Sequence, residues 1–139
     1  MSQEHVDRFK RGLAAYNRRD IYALLEELHP DVEWHPALAV LLGGEQTVFR
    51  GHQGVRESIQ EEDEALAVYQ VEISEIRDLG NGALALGHAR VRGKESGAEI
   101  ESPFFVLVES KGEETDTRTT CLRTYLDLKE ALEAAGLRE

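Results

Sequence analysis

The residue pattern predicts an α+β domain: a curved antiparallel sheet, N-terminal helices packed on its concave face, and one helix at the C-terminal end. Three observations carry this. Up to about residue 69, apolar residues recur mostly at steps of three and four. Beyond it they alternate, and the alternating half is cut by glycine-bearing turns into four segments. At 139 residues the chain suffices for one domain, 1–139, with one core, and not for two.

The first helix is expected over 3–18, with Val6, Phe9, Leu13 and Tyr16 on one stripe and Ser2 as its cap. Asp20 caps a second, shorter helix that buries Ile21, Leu24, Leu25 and Leu28. His29-Pro30 stops it, because proline disfavours helix in the residue before it. Val32-Glu33-Trp34 alternates as a short strand that Pro36 ends. Residues 37–48 form a loop whose run 37–42 is wholly apolar, so it either folds over a cavity or packs on a second subunit. Val48-Phe49-Arg50-Gly51 is a brief strand leading into a third helix over 52–68. Val55, Ile59, Leu66 and Tyr69 occupy one side of it, and 61–64 form an exposed acidic run.

The long strands follow. One starts at Val71-Glu72-Ile73, ends near Asp78 and turns at Gly80-Asn81-Gly82. Segment 83–92 comes next, then a turn at 93–97, segment 98–109, a turn at Ser110-Lys111-Gly112, and segment 115–126. Asp127-Leu128-Lys129-Glu130 reads as a capping box for a last helix over 128–135, closed by Gly136.

Charge and composition exclude several functions. The formal net charge is −11, from 27 acidic and 16 basic residues, and such a surface repels phosphate backbones and anionic lipids. Arg8, Lys10, Arg11, Arg18 and Arg19 cluster, but acidic residues flank them and they wrap around a helix; a nucleic-acid partner is not expected. No run approaches the roughly 20 apolar residues that span a bilayer, and the opening Ser2-Gln3-Glu4 is unlike a signal peptide. The single Cys121 makes no internal disulfide, and a reducing cytoplasm is the expected location.

Five motifs, in order, span nearly the whole chain: Asn17-Arg18-Arg19-Asp20; His29-Pro30-Asp31-Val32-Glu33-Trp34; Phe49-Arg50-Gly51-His52-Gln53-Gly54-Val55; the 96–101 segment beginning Ser96-Gly97-Ala98; and Tyr125-Leu126-Asp127 with 130–137. Together they resemble the SnoaL-like branch of the NTF2-like superfamily, with its ketosteroid isomerase-like cone fold. The resemblance implies a sheet curled around one pocket. It leaves the chemistry open, since the superfamily holds isomerases, cyclases, epoxide hydrolases and proteins that only bind or assemble.

The ketosteroid isomerase mechanism that the resemblance brings needs an aspartate base, a tyrosine and a protonated aspartate. At those positions this chain has His35 or Pro36, a site near Gly12, and one near Phe104, so that activity is not expected. A histidine can still exchange protons near neutral pH, which makes His35 and His88 the candidate proton-handling residues. Trp34, Ser102, Phe104, Leu122, Tyr16 and Phe49 are the candidate ligand-binding residues. If Trp34 faces inward, strand alternation turns His35 outward.

In the preferred register Ala85, Gly87, Ala89 and Val91 share a face with Ile100, Ser102, Phe104 and Val106, so that small residues opposite large ones leave room for a cavity. His88, Arg90 and Arg92 then lie on the other face beside Glu99, Glu101 and Phe105. A slip of one residue swaps the faces. The outer face would carry an apolar patch of Leu84, Leu86, Phe105 and Leu107, which argues for a homodimer through the sheet. On the last strand Leu122 and Thr124 oppose Cys121, Arg123 and Tyr125, the latter two facing either a polar ligand group or an interface. No HxH, HExxH, phosphate loop or GxSxG elbow occurs, and the inner strand positions lack an Asp-Arg-Asp set; no metal and no cofactor is expected. The expectation is a pocket for a small, largely apolar molecule, with isomerase or cyclase-like acid–base chemistry; the alternative is a non-catalytic dimeric module for binding or assembly.

Overall fold

A computed structural model describes residues 2–111 and 116–137. Gly112 of the expected turn and Thr115 of the expected strand lie outside the described residues, as does the side chain of Ser2. The chain opens with α1 (Ser2–Asn17), which buries Phe9 and packs Leu13 and Tyr16 against the core of the sheet. The Asp20 carboxylate accepts the Ala23 N–H at 3.2 Å and so caps α2 (Ile21–Glu26), as its sequence position implied.

The first strand, β1 (Leu28–His35), starts four residues earlier than the alternating pattern suggested. His29-Pro30 therefore does not stop the helix, which has already ended, but lies inside the strand. Pairing of β1 with its neighbour is interrupted between Leu28 and Glu33, where a proline without an N–H is tolerated. The apolar run folds into a single turn, α3 (Leu38–Leu41), with Ala37 buried and Leu38 and Leu41 packed on the molecule's own core. Only its end, Leu42, stands out at 59% exposure.

After β2 (Phe49–Arg50) comes α4 (Gly51–Ala65), which passes into β3 (Leu66–Asp78) with no intervening loop. The third helix is thus shorter than expected, and Leu66 and Tyr69 belong to the strand. Sheet pairing explains it: Leu66 lies opposite Gly93 and Tyr69 opposite Val91, and the Ala65 carbonyl accepts the Lys94 N–H at 3.0 Å. The remaining strands are β4 (Gly82–Gly93), β5 (Glu99–Glu109) and β6 (Thr119–Tyr125), and α5 (Leu128–Ala134) closes the chain.

The six strands form one sheet in the order β2-β1-β6-β5-β4-β3, antiparallel throughout except for the parallel pair β1 and β6. Irregularities in β3 at Leu66/Val68 and Ile73/Glu75 bend the long hairpin, as bulges do. Gly87 faces the second of them, where a Cβ would overlap the Glu72 carbonyl oxygen. The β4–β5 register is the preferred one: Ala85 opposite Val106, Gly87 opposite Phe104, Ala89 opposite Ser102, Val91 opposite Ile100.

The outer face corrects one expectation. Leu84, Phe105 and Leu107 are buried, but what buries them is α5, through Ala131 and Leu132. Asp127 caps this helix by accepting the Glu130 N–H at 3.0 Å, and Gly136 follows it at φ +76. The patch read as a subunit interface is therefore an intramolecular core. Among the described residues no helix is long and apolar enough to cross a membrane.

Candidate active site

Beneath α1 and α2 the concave face of the sheet encloses a cavity of about 70 Å3. Roughly 10–15 Å3 of such space accommodates one water, so the void has room for several. Its wall is mostly apolar: Phe9 and Leu13 from α1, Trp34 from β1, Val71 from β3, Phe104 from β5 and Leu122 from β6. Tyr16, Tyr69 and Glu62 also line it, as does the ion pair of Arg8 and Glu27, 2.8 Å apart.

Glu62 is the unusual member. On α4 the inward stripe runs Val55, Ser58, Ile59, Glu62, the i, i+3, i+4, i+7 spacing that places all four on one face. A carboxylate consequently occupies a core position, with its side chain 1% exposed. Two donors meet its Oε1: the Tyr16 hydroxyl at 2.7 Å and Arg19 Nη2 at 3.1 Å. No hydrogen bond reaches Oε2 among the described residues. Burial pushes the Glu62 carboxyl up to about 7, against the opposing pull of the Tyr16 hydroxyl and the Arg19 charge. Burial likewise raises Tyr16, with Tyr69 and Glu62 adding to the effect, and raises Tyr69, with Glu62 adding. Both phenols therefore remain protonated donors.

The segment Asn17-Arg18-Arg19-Asp20 assembles this site. The Asn17 side chain donates to the Val71 carbonyl at 2.9 Å and accepts the Val71 N–H at 3.2 Å, pinning the end of α1 to β3. Arg19 has φ 58, the only positive φ of a non-glycine among the described residues. Such backbone is strained in L-residues. It reverses the chain between two helices and sends the guanidinium back over the Tyr16 ring, 4.9 Å from its centroid. There Arg19 bridges Glu62 and the exposed Asp63, the second at 2.9 Å. Asp20 then caps α2. Aromatic edges complete the frame, with Tyr69 set edge-on to Tyr16 and to Phe104 at centroid separations of 5.7 and 6.5 Å.

Of the residues singled out from the sequence, Tyr16, Trp34, Phe104 and Leu122 line the cavity. Trp34 is anchored by its indole N–H, which donates to Ser58 Oγ at 3.1 Å. Phe49 packs beside Trp34 in the adjoining core, and Ser102 turns its hydroxyl to the Pro103 carbonyl at 2.8 Å; neither borders the void. The two histidines lie elsewhere. His35 alternates away from Trp34 onto the outer face and meets Glu33 at 3.3 Å. His88 shares its outer face with Arg90 and Arg92, half-exposed and 2.9 Å from Glu72. The proton-handling role expected of them has no support in this geometry.

Glu62 and Arg19 were not among the expected site residues. In sequence Glu62 sits inside the acidic run 61–64, and Arg19 inside a basic cluster that wraps around a helix. The signal for Glu62 was present, since extending the Val55–Ile59 stripe by one turn reaches it. Nothing local announces Arg19, whose direction depends on its left-handed backbone.

A family model described as a SnoaL-like domain matches residues 9–115. No curated protein matches. Among solved structures, an NTF2-like protein of unknown function from Burkholderia pseudomallei is similar over 93% of this chain and 95% of its own, at 23% identity and a TM-score of 0.74. TerC, co-crystallized with polyporic acid, is similar over 95% and 98%, at 22% identity and a TM-score of 0.73. An LEH-like epoxide hydrolase of M. tuberculosis is similar over 96% and 90%, at 16% identity and a TM-score of 0.69. At these identities the likeness is one of fold.

Proposed function

The chain belongs to the SnoaL-like domain family, and from that premise we propose that its cavity binds a small, largely apolar molecule and moves a proton on it, with Glu62 as the acid–base group. The observation that carries this reading is a buried carboxyl, pushed up to about 7, at the wall of an apolar cavity. A group with such a value is part protonated and part ionised at neutral pH, the condition under which one residue can both take and return a proton. The carboxylate accepts a proton from a carbon beside a ligand carbonyl and returns it to another atom of the same ligand, giving isomerisation or ring closure with no net loss. Tyr16 and Arg19 hold Oε1, which leaves Oε2 for the transfer. The Tyr69 phenol, kept neutral, stands beside Tyr16 as a donor for the oxygen on which charge develops.

The bridge of Arg19 between Glu62 and Asp63 supports a second reading. A carboxylate held by an arginine beside room for water suits hydrolysis, and epoxide hydrolysis is the activity named for the M. tuberculosis protein.

Enolisable cyclic ketones that shift the melting temperature are the probes, followed by NMR of deuterium uptake from D2O. Uptake that falls about 100-fold or more in Glu62→Gln, with binding retained, is the expected outcome. Uptake equal in both proteins refutes the role of Glu62. Product that has gained a water, formed from an epoxide probe, would select the hydrolytic reading.

A further inference from the structure

Strand pairing assembles a second group of reactive side chains on the outer face, behind the wall that carries Trp34 and Leu122. Glu33 and Cys121 are direct partners across the parallel β1–β6 pair, and His35 follows Glu33 by two residues on the same face. One imidazole nitrogen, one carboxylate oxygen and the Cys121 sulfur all lie within 4.8 Å of one another.

We propose that Glu33, His35 and Cys121 form a binding site for a divalent transition metal ion of the zinc type. The donor set is the argument. Thiolate with imidazole selects zinc and its neighbours over magnesium or calcium, which prefer oxygen alone. A tetrahedral ion with ligand bonds of about 2.0–2.3 Å keeps its ligands roughly 3.3–3.8 Å apart. Side-chain adjustments of about 1 Å thus bring the three into place. The surroundings are already arranged for it. Glu33 splits its oxygens, Oε2 to Arg50 at 3.1 Å and Oε1 to His35 at 3.3 Å, so the Arg50 contact can persist while Oε1 binds the ion. Arg123, opposite His35 on the neighbouring strand, is occupied by Glu109 at 2.9 Å. The His35 carbonyl accepts the Thr124 hydroxyl at 2.8 Å, which fixes the strand under the imidazole. Binding releases the thiol proton to solvent. All three side chains are only partly buried, so a fourth position remains open to water, as in three-ligand zinc sites.

No spacing rule finds this site. The cysteine comes from a strand 86 positions beyond His35 in the chain (121 − 35), and Glu33-Trp34-His35 reads as ordinary alternation. The site is separate from the cavity, because Trp34 and Leu122 point to the opposite face.

Cobalt(II) titration of the reduced full-length chain is the test. The expected result is a tetrahedral visible spectrum with a sulfur-to-cobalt band in the near ultraviolet, removed by one equivalent of zinc. Cys121→Ser should abolish the near-ultraviolet band. His35→Ala and Glu33→Gln should each weaken cobalt binding at least about tenfold. Far-ultraviolet circular dichroism confirms that each variant is folded. An octahedral spectrum lacking the sulfur band overturns the proposal. So does a sulfur band equally strong in both the His35 and Glu33 variants, which would mean that the thiol binds alone.

Discussion

Replacing Glu62 with glutamine should change how stability depends on pH, and the size of the change follows from the site. The carboxyl rises from 4.5 to about 7 on folding. At about 1.4 kcal/mol for each tenfold change in proton affinity, this is about 3 kcal/mol. The folded chain holds the proton more tightly than the unfolded one does. The resulting stabilisation is complete below pH 4.5 and is lost as pH rises through about 7. Urea unfolding at pH 5 and pH 8 measures it. Because pH 5 lies just above the unfolded value, the wild-type chain should lose about 2–3 kcal/mol more between those values than Glu62→Gln does, or roughly 8 °C in melting temperature for a domain of this size. Comparing the two proteins cancels the contributions of every group common to both. Arg19 already pairs with Asp63 at 2.9 Å, so the substitution leaves it a counter-ion and creates no new unpaired charge. Equal pH dependence in the two proteins would refute the claim that burial controls this carboxyl.

Tyr16→Phe removes a donor that pulls Glu62 downward, so the Glu62 titration followed by NMR should move above 7 while stability at pH 8 falls by about 1–3 kcal/mol. Asp127→Ala should lower stability by about 0.5–2 kcal/mol in urea unfolding through loss of the α5 cap. Deleting residues 128–137 uncovers Leu84, Phe105 and Leu107; light scattering should then show concentration-dependent self-association beyond that of the full chain at the same concentrations. Leu122→Trp fills the cavity and should abolish binding of every ketone probe, while the outer-face cobalt spectrum persists.

The pattern of small and large residues made the cavity face legible. Ala85 and Gly87 lie opposite Val106 and Phe104 across the hairpin, and a slip of one residue would break both pairings. Alternation also placed Trp34 inward. Helix caps were legible because Asp20 and Asp127 act on their immediate neighbours. The boundary between α4 and β3 was not, since Leu66 and Tyr69 suit a helical stripe as well as a strand. Pairing with β4 decides it, and that partner lies more than 20 residues away. The outer patch was correctly composed from sequence, but its cover could not be assigned, because no local rule says on which side α5 docks. Glu62 was hidden by its company: Glu61, Asp63 and Glu64 are all exposed, and charge outweighed periodicity in reading them together.

The strained backbone at Arg19 ties two distant positions to a shared fate. Glycine would relax the turn, yet alone it would strand a carboxylate in the core without its counter-ion, a change that costs several kcal/mol for buried pairs. Once position 62 is neutral, the same glycine becomes favourable. Among descendants of a common ancestor, arginine at 19 and glutamate at 62 should therefore disappear together, and homologues that have lost both mark lineages released from the acid–base role proposed for Glu62.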